Sequence, residues 1–572
     1  MLKRIFCLLL CLVLMLGLLT ACGGESVAEP EVTAEPASEA EAALAEVYAR
    51  ADERREAILS SKTEIVKSDT LVLGETYTGT AYYVSNSGSD SNNGTSPDSP
   101  FATVEPFKYI SLQYGDAIFF ERGSVWRAVE LPREVRGTEG LTISAYGEGP
   151  KPAFYGSEEN GTGAEKWELY YSDDSGKKIW TYYREMTDVA SIVLGGEELV
   201  LRDIAFWDGE TFQEMNVYHL AMTGESYDVT AHLPDMWCIP LINYPDHGST
   251  YELGDRIYYS RGHNGELIYH TGPLYFRCDA GNPGELYDDI EFIMPYAICD
   301  DMADEQCYDN ISIKYSGRVF GSGSYQGQRA NVGMVQNCEF GWMGGSVYNF
   351  ATGEETGDTR LGLCIRGVYG RDGGALGIKG SGYTVKGNYI HDSFQEGICI
   401  ETFSGYETVQ GCLISGNLVE RATAGIMLYN WDMQVNPEHI MKDIVVEDNI
   451  VLESGINNFY GSAELERESS AVVLQGGPNA NENLVIRNNT FAVSIGGLVK
   501  VDTFSEEYSR IFRNNLYIQS PGKGRIDRIT GVRVEVGIPM GIMMNYNTPI
   551  EITSESMLKY LGDETGKAYV LE

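Results

Sequence analysis

The sequence predicts an all-β solenoid, a parallel β-helix with an inserted β-rich side domain and a short N-terminal helix, on three observations. The first is size: 572 residues exceed one ordinary globular core, which leaves several domains or an elongated repeat. The second is composition. The chain has 65 Gly and 37 Tyr but only 19 Pro and 22% charged residues, the profile of a turn-rich, aromatic-rich folded protein. The third is a recurring apolar-polar-Asn pattern at Asn337 (VQNCEF), Asn388 (VKGNYI), Asn417 (ISGNLV), Asn449 (VEDNIV), Asn489 (IRNNTF) and Asn515 (FRNNLY). Coils of three short strands with loops of variable length produce such a repeat. An asparagine at an inward corner stacks its amide on those above and below, so Asn388, Asn417, Asn449 and Asn489 are expected in one interior ladder.

The N-terminus comes first in chain order. Lys3 and Arg4 precede the apolar stretch Ile5–Leu19, and Leu19-Thr20-Ala21-Cys22 follows with small residues before the cysteine. Residues 1–21 resemble a bacterial lipoprotein signal peptide with its lipobox. The resemblance implies cleavage after Ala21, lipid on Cys22, and a body on the extracellular face of the cell membrane, held there only through the lipid anchor. An uncleaved anchor is the alternative, and the stretch is short of the ~20 residues that span a bilayer. Residues 22–37 read as a solvated tether. Ser38 and Glu41 fit a capping box, and Leu44, Val47, Tyr48, Ala51, Ile58 and Leu59 share one helical face, so 38–62 is expected as a capping helix.

The first coils are expected over 80–154. Tyr82-Tyr83-Val84 reads as a strand, Gly88 to Pro100 as a turn, and Ile118 to Phe120 as another strand. These segments, together with NPGELY at Asn282–Tyr287, resemble secreted right-handed parallel β-helix proteins of the pectate-lyase-like superfamily, many of which are carbohydrate-active. The resemblance covers most of Tyr82 to Ile518 and implies a right-handed solenoid and a carbohydrate-active class. Asp90, Asn92 and Asn93 beside Gly94 raise the alternative of a Ca²⁺ loop. Their spacing is out of step with an EF-hand and the bidentate Glu is missing, so a hydrogen-bonded turn is expected, with no cofactor and no metal.

Between 155 and 272 the repeat is lost and Trp167, Trp180, Trp207 and Trp237 appear, which reads as an inserted small sandwich. The main β-helix is expected over 273–540 and a C-terminal cap over 541–572. A net charge of −41 repels phosphate backbones and anionic lipid surfaces, so nucleic acid is excluded as a partner. Cys238, Cys278, Cys299, Cys307, Cys338, Cys364, Cys399 and Cys412 lack any CxxC pair and read as buried thiols rather than a zinc site or a compact disulfide framework.

Register supplies the candidate site. With turn glycines Gly397 and Gly425 set level, Ile398, Ile400, Ile426 and Leu428 point inward, so Glu401 and Tyr429 point outward. Ile365-Arg366 and Leu474-Gln475 fit the same frame, which predicts an outward column Arg366, Glu401, Tyr429, Gln475. Ile365 and Ile378 can each start the coil before Glu401. His391, Asp392 and Glu396 lie on the turn leading into the Glu401 strand, and Asp372, Trp431 and Asp432 border the region. Such a strip suits a saccharide groove.

A glycoside hydrolase needs two carboxyls about 5 to 9.5 Å apart. Arg366 beside Glu401 favours its ionised form, which casts Glu401 as nucleophile or base, Glu396 as acid, and Asp392 as substitute for either, with His391 kept for its carboxylate-rich company. A polysaccharide lyase on the same fold needs a basic residue and positive charge or Ca²⁺ near a uronate, and no basic cluster is evident on this face. A non-catalytic glycan-binding protein using Tyr429 and Trp431 as stacking platforms is the third reading.

Overall fold

The computed structural model describes residues 38–172 without a break and, between 174 and 571, the strands and corners named below. Three sheets dominate. The first has ten strands from Ala81–Val84 to Arg510–Arg513, and the second has ten from Val125–Arg127 to Lys567–Val570. The third has seven, from Leu376–Ile378 to Thr548–Pro549. Each coil passes from first to second to third sheet, and neighbouring coils pair in parallel, as Tyr383–Lys386 does with Leu413–Ser415. Alternation sends one side chain of every two inward, so Val385, Ile414 and Val446 meet Ile390, Val419 and Val451 and also Ile398, Ile426 and Val472 in one continuous core.

The corner between first and second sheets explains the repeat. One residue turns the backbone with positive φ: Gly387 (61°), Gly416 (67°), Asp448 (56°), Asn488 (57°) and Asn514 (57°). The residue after it is the inward asparagine. Asn388 Nδ2 donates to Asn417 Oδ1 (3.0 Å), Asn417 to Asn449 (2.9 Å), Asn449 to Asn489 (2.9 Å) and Asn489 to Asn515 (3.1 Å). Each Oδ1 also accepts the backbone N–H of the preceding member, and each Nδ2 also reaches a backbone carbonyl. Asp563 closes the ladder by accepting from Asn515 N (3.1 Å) and Nδ2 (2.9 Å). The expected four-residue ladder is therefore present and extends to Asn515. Asn337 differs: it takes the turn position (φ 53°), and Cys338 holds the ladder position, its N–H donating to Asn388 Oδ1 (2.9 Å).

Three expectations are corrected. The insert is entered after Ala153–Tyr155, but the solenoid resumes at Gln306–Asp309 and Ser312–Lys314, which pair with Thr142–Tyr146 and Ala153–Tyr155. Leu274–Cys278, expected to restart the solenoid, pairs antiparallel with Lys178–Tyr182 and Met236–Pro240 inside the insert. That sheet and the three-stranded sheet containing Ser191–Leu194 and Ile290–Ile293 share a separate core around Trp167, Phe276 and Phe292, which is the small sandwich expected. The C-terminal segment is not a separate cap, because Lys567–Val570 pairs as the last strand of the second sheet.

The N-terminal helix α1 (Glu39–Ser60) is the third correction. Its apolar stripe, Val47, Ala51 and Ile58 with Leu44 and Tyr48, does not close an end. It lies along the outer face of the second sheet, over Tyr389, Leu418, Ile450, Leu452, Ala492 and Ile518. Tyr48 Oη donates to Glu453 (2.9 Å), and Arg55 donates to Glu420 from Nε (3.2 Å) and from a terminal nitrogen (2.5 Å). An amphipathic stripe dictates that one face is buried but not which surface buries it.

The turn at 88–100 spends its polar groups locally. Asp90 accepts from Ala102 N, Thr103 N and Thr103 Oγ1, and Asn93 Oδ1 accepts from Thr95 N and Ser99 Oγ. Among the described residues six cysteines are buried free thiols: Cys278, Cys299, Cys307, Cys338, Cys399 and Cys412.

Candidate functional site

The outer face of the third sheet is built by the strands Glu396–Thr402, Ala424–Asn430, Val472–Gln475 and Val499–Val501. Pairing sets Glu401 level with Tyr429 and Tyr429 level with Gln475, the register expected from the two turn glycines. Those glycines are required sterically. A Cβ on Gly397 would stand 2.5 Å from Val419 Cγ1, and one on Gly425 would stand 2.2 Å from Val451 Cγ1. The column does not begin with Arg366. Gly362–Gly367 pairs antiparallel with Ser346–Ala351, so Arg366 sits opposite Val347 on a hairpin, and the coil preceding Glu401 is supplied by Leu376–Ile378. Of the two stretches, the one at Ile378 precedes Glu401, but the strand starts at Leu376 and ends at Ile378, level with Ile400.

Glu401 is only 3% exposed although the alternation with Ile398 and Ile400 turns it to the outer face, and Glu396, at the head of the same strand, is 5% exposed. Beside Glu401 runs a second outward column, Cys399, Met427, Val473 and Lys500, in direct register. Its first three members pack with Tyr429 into an apolar patch, and Lys500 is itself buried at 2% exposure. Lys500 escaped sequence reasoning. Aligning Leu498-Val499-Lys500 with Ala471-Val472-Val473 would have found it, since the apolar alternation is the same. The strip therefore combines carboxylates, an aromatic ring, an apolar floor and one ammonium. Glu396 and Glu401 lie five positions apart on one strand, at most about 16 Å between Cα atoms, and the pairing skips Gly397 between them, which breaks the two-residue alternation there. That span exceeds the roughly 5 to 9.5 Å of a glycosidase pair, so both side chains must lean together or Glu401 takes another partner.

His391 and Asp392 are not in this strip. Asp392 turns the corner between second and third sheets with φ 50°, as Trp342 (55°), Arg421 (54°) and Glu453 (57°) do in neighbouring coils. Its oxygens accept from Arg421 Nε and a terminal nitrogen (2.9 Å each), and Oδ2 stands 2.9 Å from His391 Nδ1. Guanidinium and imidazole hold the buried Asp392 carboxyl below its usual range despite desolvation. Asp392 is thus committed to a structural corner rather than to the role of substitute acid. His391 stacks on Tyr389 with ring centroids 4.6 Å apart, on the outer face of the second sheet. The connection to the site is through the backbone: Ser393 Oγ donates to the Glu396 carbonyl (2.7 Å). Asp372, Trp431, Asp432 and Cys22 lie outside the described residues.

Gly341 tests this corner. It is level with His391, and a Cβ there would stand 2.3 Å from His391 Nε2. Gly341→Ala is expected to cost about 1 to 3 kcal/mol by displacing the ring, read as a lower urea midpoint. An unchanged midpoint contradicts the packing.

The family model for right-handed β-helix regions matches residues 322–517, and with the parallel sheets above it makes the solenoid a right-handed parallel β-helix, as expected. No curated protein sequence matches the chain. Among solved structures, a GH136 lacto-N-biosidase from Eubacterium ramulus is similar at 12% identity and TM-score 0.36, over 86% of this chain and 68% of that one. A glycoside hydrolase is similar at 11% identity and TM-score 0.37, over 86% and 96%. A pectate lyase is similar at 10% identity and TM-score 0.33, over 86% and 80%.

Proposed function

We propose that the chain is a carbohydrate-active enzyme, a glycoside hydrolase that acts on a neutral or weakly charged plant or host polysaccharide at the outer face of the third sheet. The observation that carries it is the register column Glu401, Tyr429, Gln475, which sets a buried carboxylate beside an aromatic ring on a face where solvated side chains are the norm. Glu401 acts as nucleophile or base, and Glu396 acts as acid. Tyr429 and Trp431 stack on sugar rings, with Gln475 as a hydrogen-bonding partner. A net charge of −41 disfavours polyanionic glycans. The lipobox at Cys22 supports anchoring on the extracellular face of a bacterial membrane.

Lys500 favours a second reading, a polysaccharide lyase, because it puts a basic side chain on the same face. Incubating purified protein with neutral and uronate-rich polysaccharides separates the two. New reducing ends without absorbance near 235 nm are expected. An unsaturated, ultraviolet-absorbing product overturns the hydrolase, and binding without any product leaves the glycan-binding reading.

A further inference from the structure

Along the outer face of the second sheet, charges of alternating sign run from the solenoid into α1. Lys314 Nζ stands 2.7 Å from Glu339, and Glu339 Oε1 stands 3.7 Å from His391 Nε2, an ion-pair distance rather than a hydrogen bond. His391 Nδ1 meets Asp392, which Arg421 clamps at 2.9 Å. Arg421 stands 3.9 Å from Glu420, and Glu420 binds Arg55 of α1 and accepts from Tyr389 Oη (3.0 Å). Arg55 lies 5.5 Å above the Tyr389 ring, whose other partner is the His391 imidazole. Every cation in this series is an arginine or lysine except the central one.

We propose that His391 is a pH-dependent link that fastens α1 to the solenoid: as imidazolium it completes the alternation, and as neutral imidazole it leaves Glu339 and Asp392 facing each other across an uncharged ring. The groups around it are accounted for on every packed element. Asp392 and Tyr389 come from its own strand, and Glu339 and Trp342 come from the coil before. Glu420 and Arg421 come from the coil after, and Arg55 reaches in from α1. Burial opposes the charge, but Asp392 and Glu339 outweigh it and raise the imidazole above its ordinary 6.5. A raised folded value means that the stabilisation is complete below about 6.5 and is lost as pH rises through the folded-state value. Acidic surroundings therefore hold α1 down, and alkaline ones loosen it while the Asn ladder stays shut.

The test is hydrogen–deuterium exchange of α1 amides on the full chain between pH 5.5 and 8.5, corrected for intrinsic exchange. Protection of residues 47–58 is expected to fall severalfold over that range, with ladder-coil amides unchanged. His391→Gln should show the low level at both pH values. Should that variant not fold, the double variant Arg55→Gln/Tyr48→Phe decides, because it removes both contacts of α1 with the series, at Glu420 and at Glu453, the latter 3.7 Å from Arg421, and should give low, pH-independent α1 protection. A wild-type helix with pH-independent protection overturns the proposal, and so does either variant retaining the wild-type fall.

Discussion

Asn449→Ala is expected to lower the unfolding free energy by about 3 to 5 kcal/mol. The side chain is 1% exposed and makes four hydrogen bonds. Oδ1 accepts from Asn417 N and Nδ2, and Nδ2 donates to Asn489 Oδ1 and the Ile414 carbonyl (3.0 Å). Alanine orphans the Asn417 N–H and the Ile414 carbonyl inside the core, each costing about 1 to 3 kcal/mol, and breaks the ladder in mid-run. Asn488→Gly, one coil on, is the matched control. Asn488 holds the turn at φ 57°, which glycine adopts without strain, and its side chain loses only an exposed bond from Asn514 Nδ2 (2.8 Å), so the change should fall within about 1 kcal/mol of wild type. Equal losses in urea denaturation would show that the ladder carries no special weight.

This contrast shows why the fold was legible. The Asn repeat is written by a backbone requirement: a left-handed turn residue, then an amide that satisfies the corner of the next coil. The sequence marks both positions. It misled at Asn337 because glycine, asparagine and aspartate all serve the turn, and because Cys338 took the ladder place. Glu401 and Tyr429 were legible for a similar reason, since Gly397 and Gly425 fix the register and the two-residue period does the rest.

What failed lacked such a marker. The stretch around Ile365-Arg366 alternates as a solenoid strand does, yet its partner is an antiparallel hairpin, and alternation is silent about the partner's direction. Leu274–Cys278 misled in the same way inside the insert. His391 and Asp392 neighbour Glu396 in sequence, but the left-handed corner at Asp392 aims them onto another face. Lys500 was missed because the register was set on too few coils.

Glu401→Gln is expected to reduce glycan hydrolysis by about 10³-fold or more. Gln matches Glu in shape but supplies neither a nucleophilic nor a basic oxygen. Because Glu401 is buried rather than solvated, Gln is the substitution that keeps the packing, and stability should change by no more than about 1 kcal/mol. Binding should largely persist, since Tyr429 and its neighbours keep their surfaces. The loss should therefore fall on kcat rather than on KM. Tyr429→Ala is the complement: it removes a stacking surface, weakens binding, and leaves the chemical step less affected.

The most direct test measures kcat and glycan Kd side by side for wild type and Glu401→Gln, on whichever neutral polysaccharide the wild type cleaves. A collapse in kcat with Kd nearly unchanged is the predicted result. Near wild-type turnover in Glu401→Gln, or activity abolished by chelator and restored by Ca²⁺, would contradict the assignment of Glu401 as the reacting carboxylate of the third sheet.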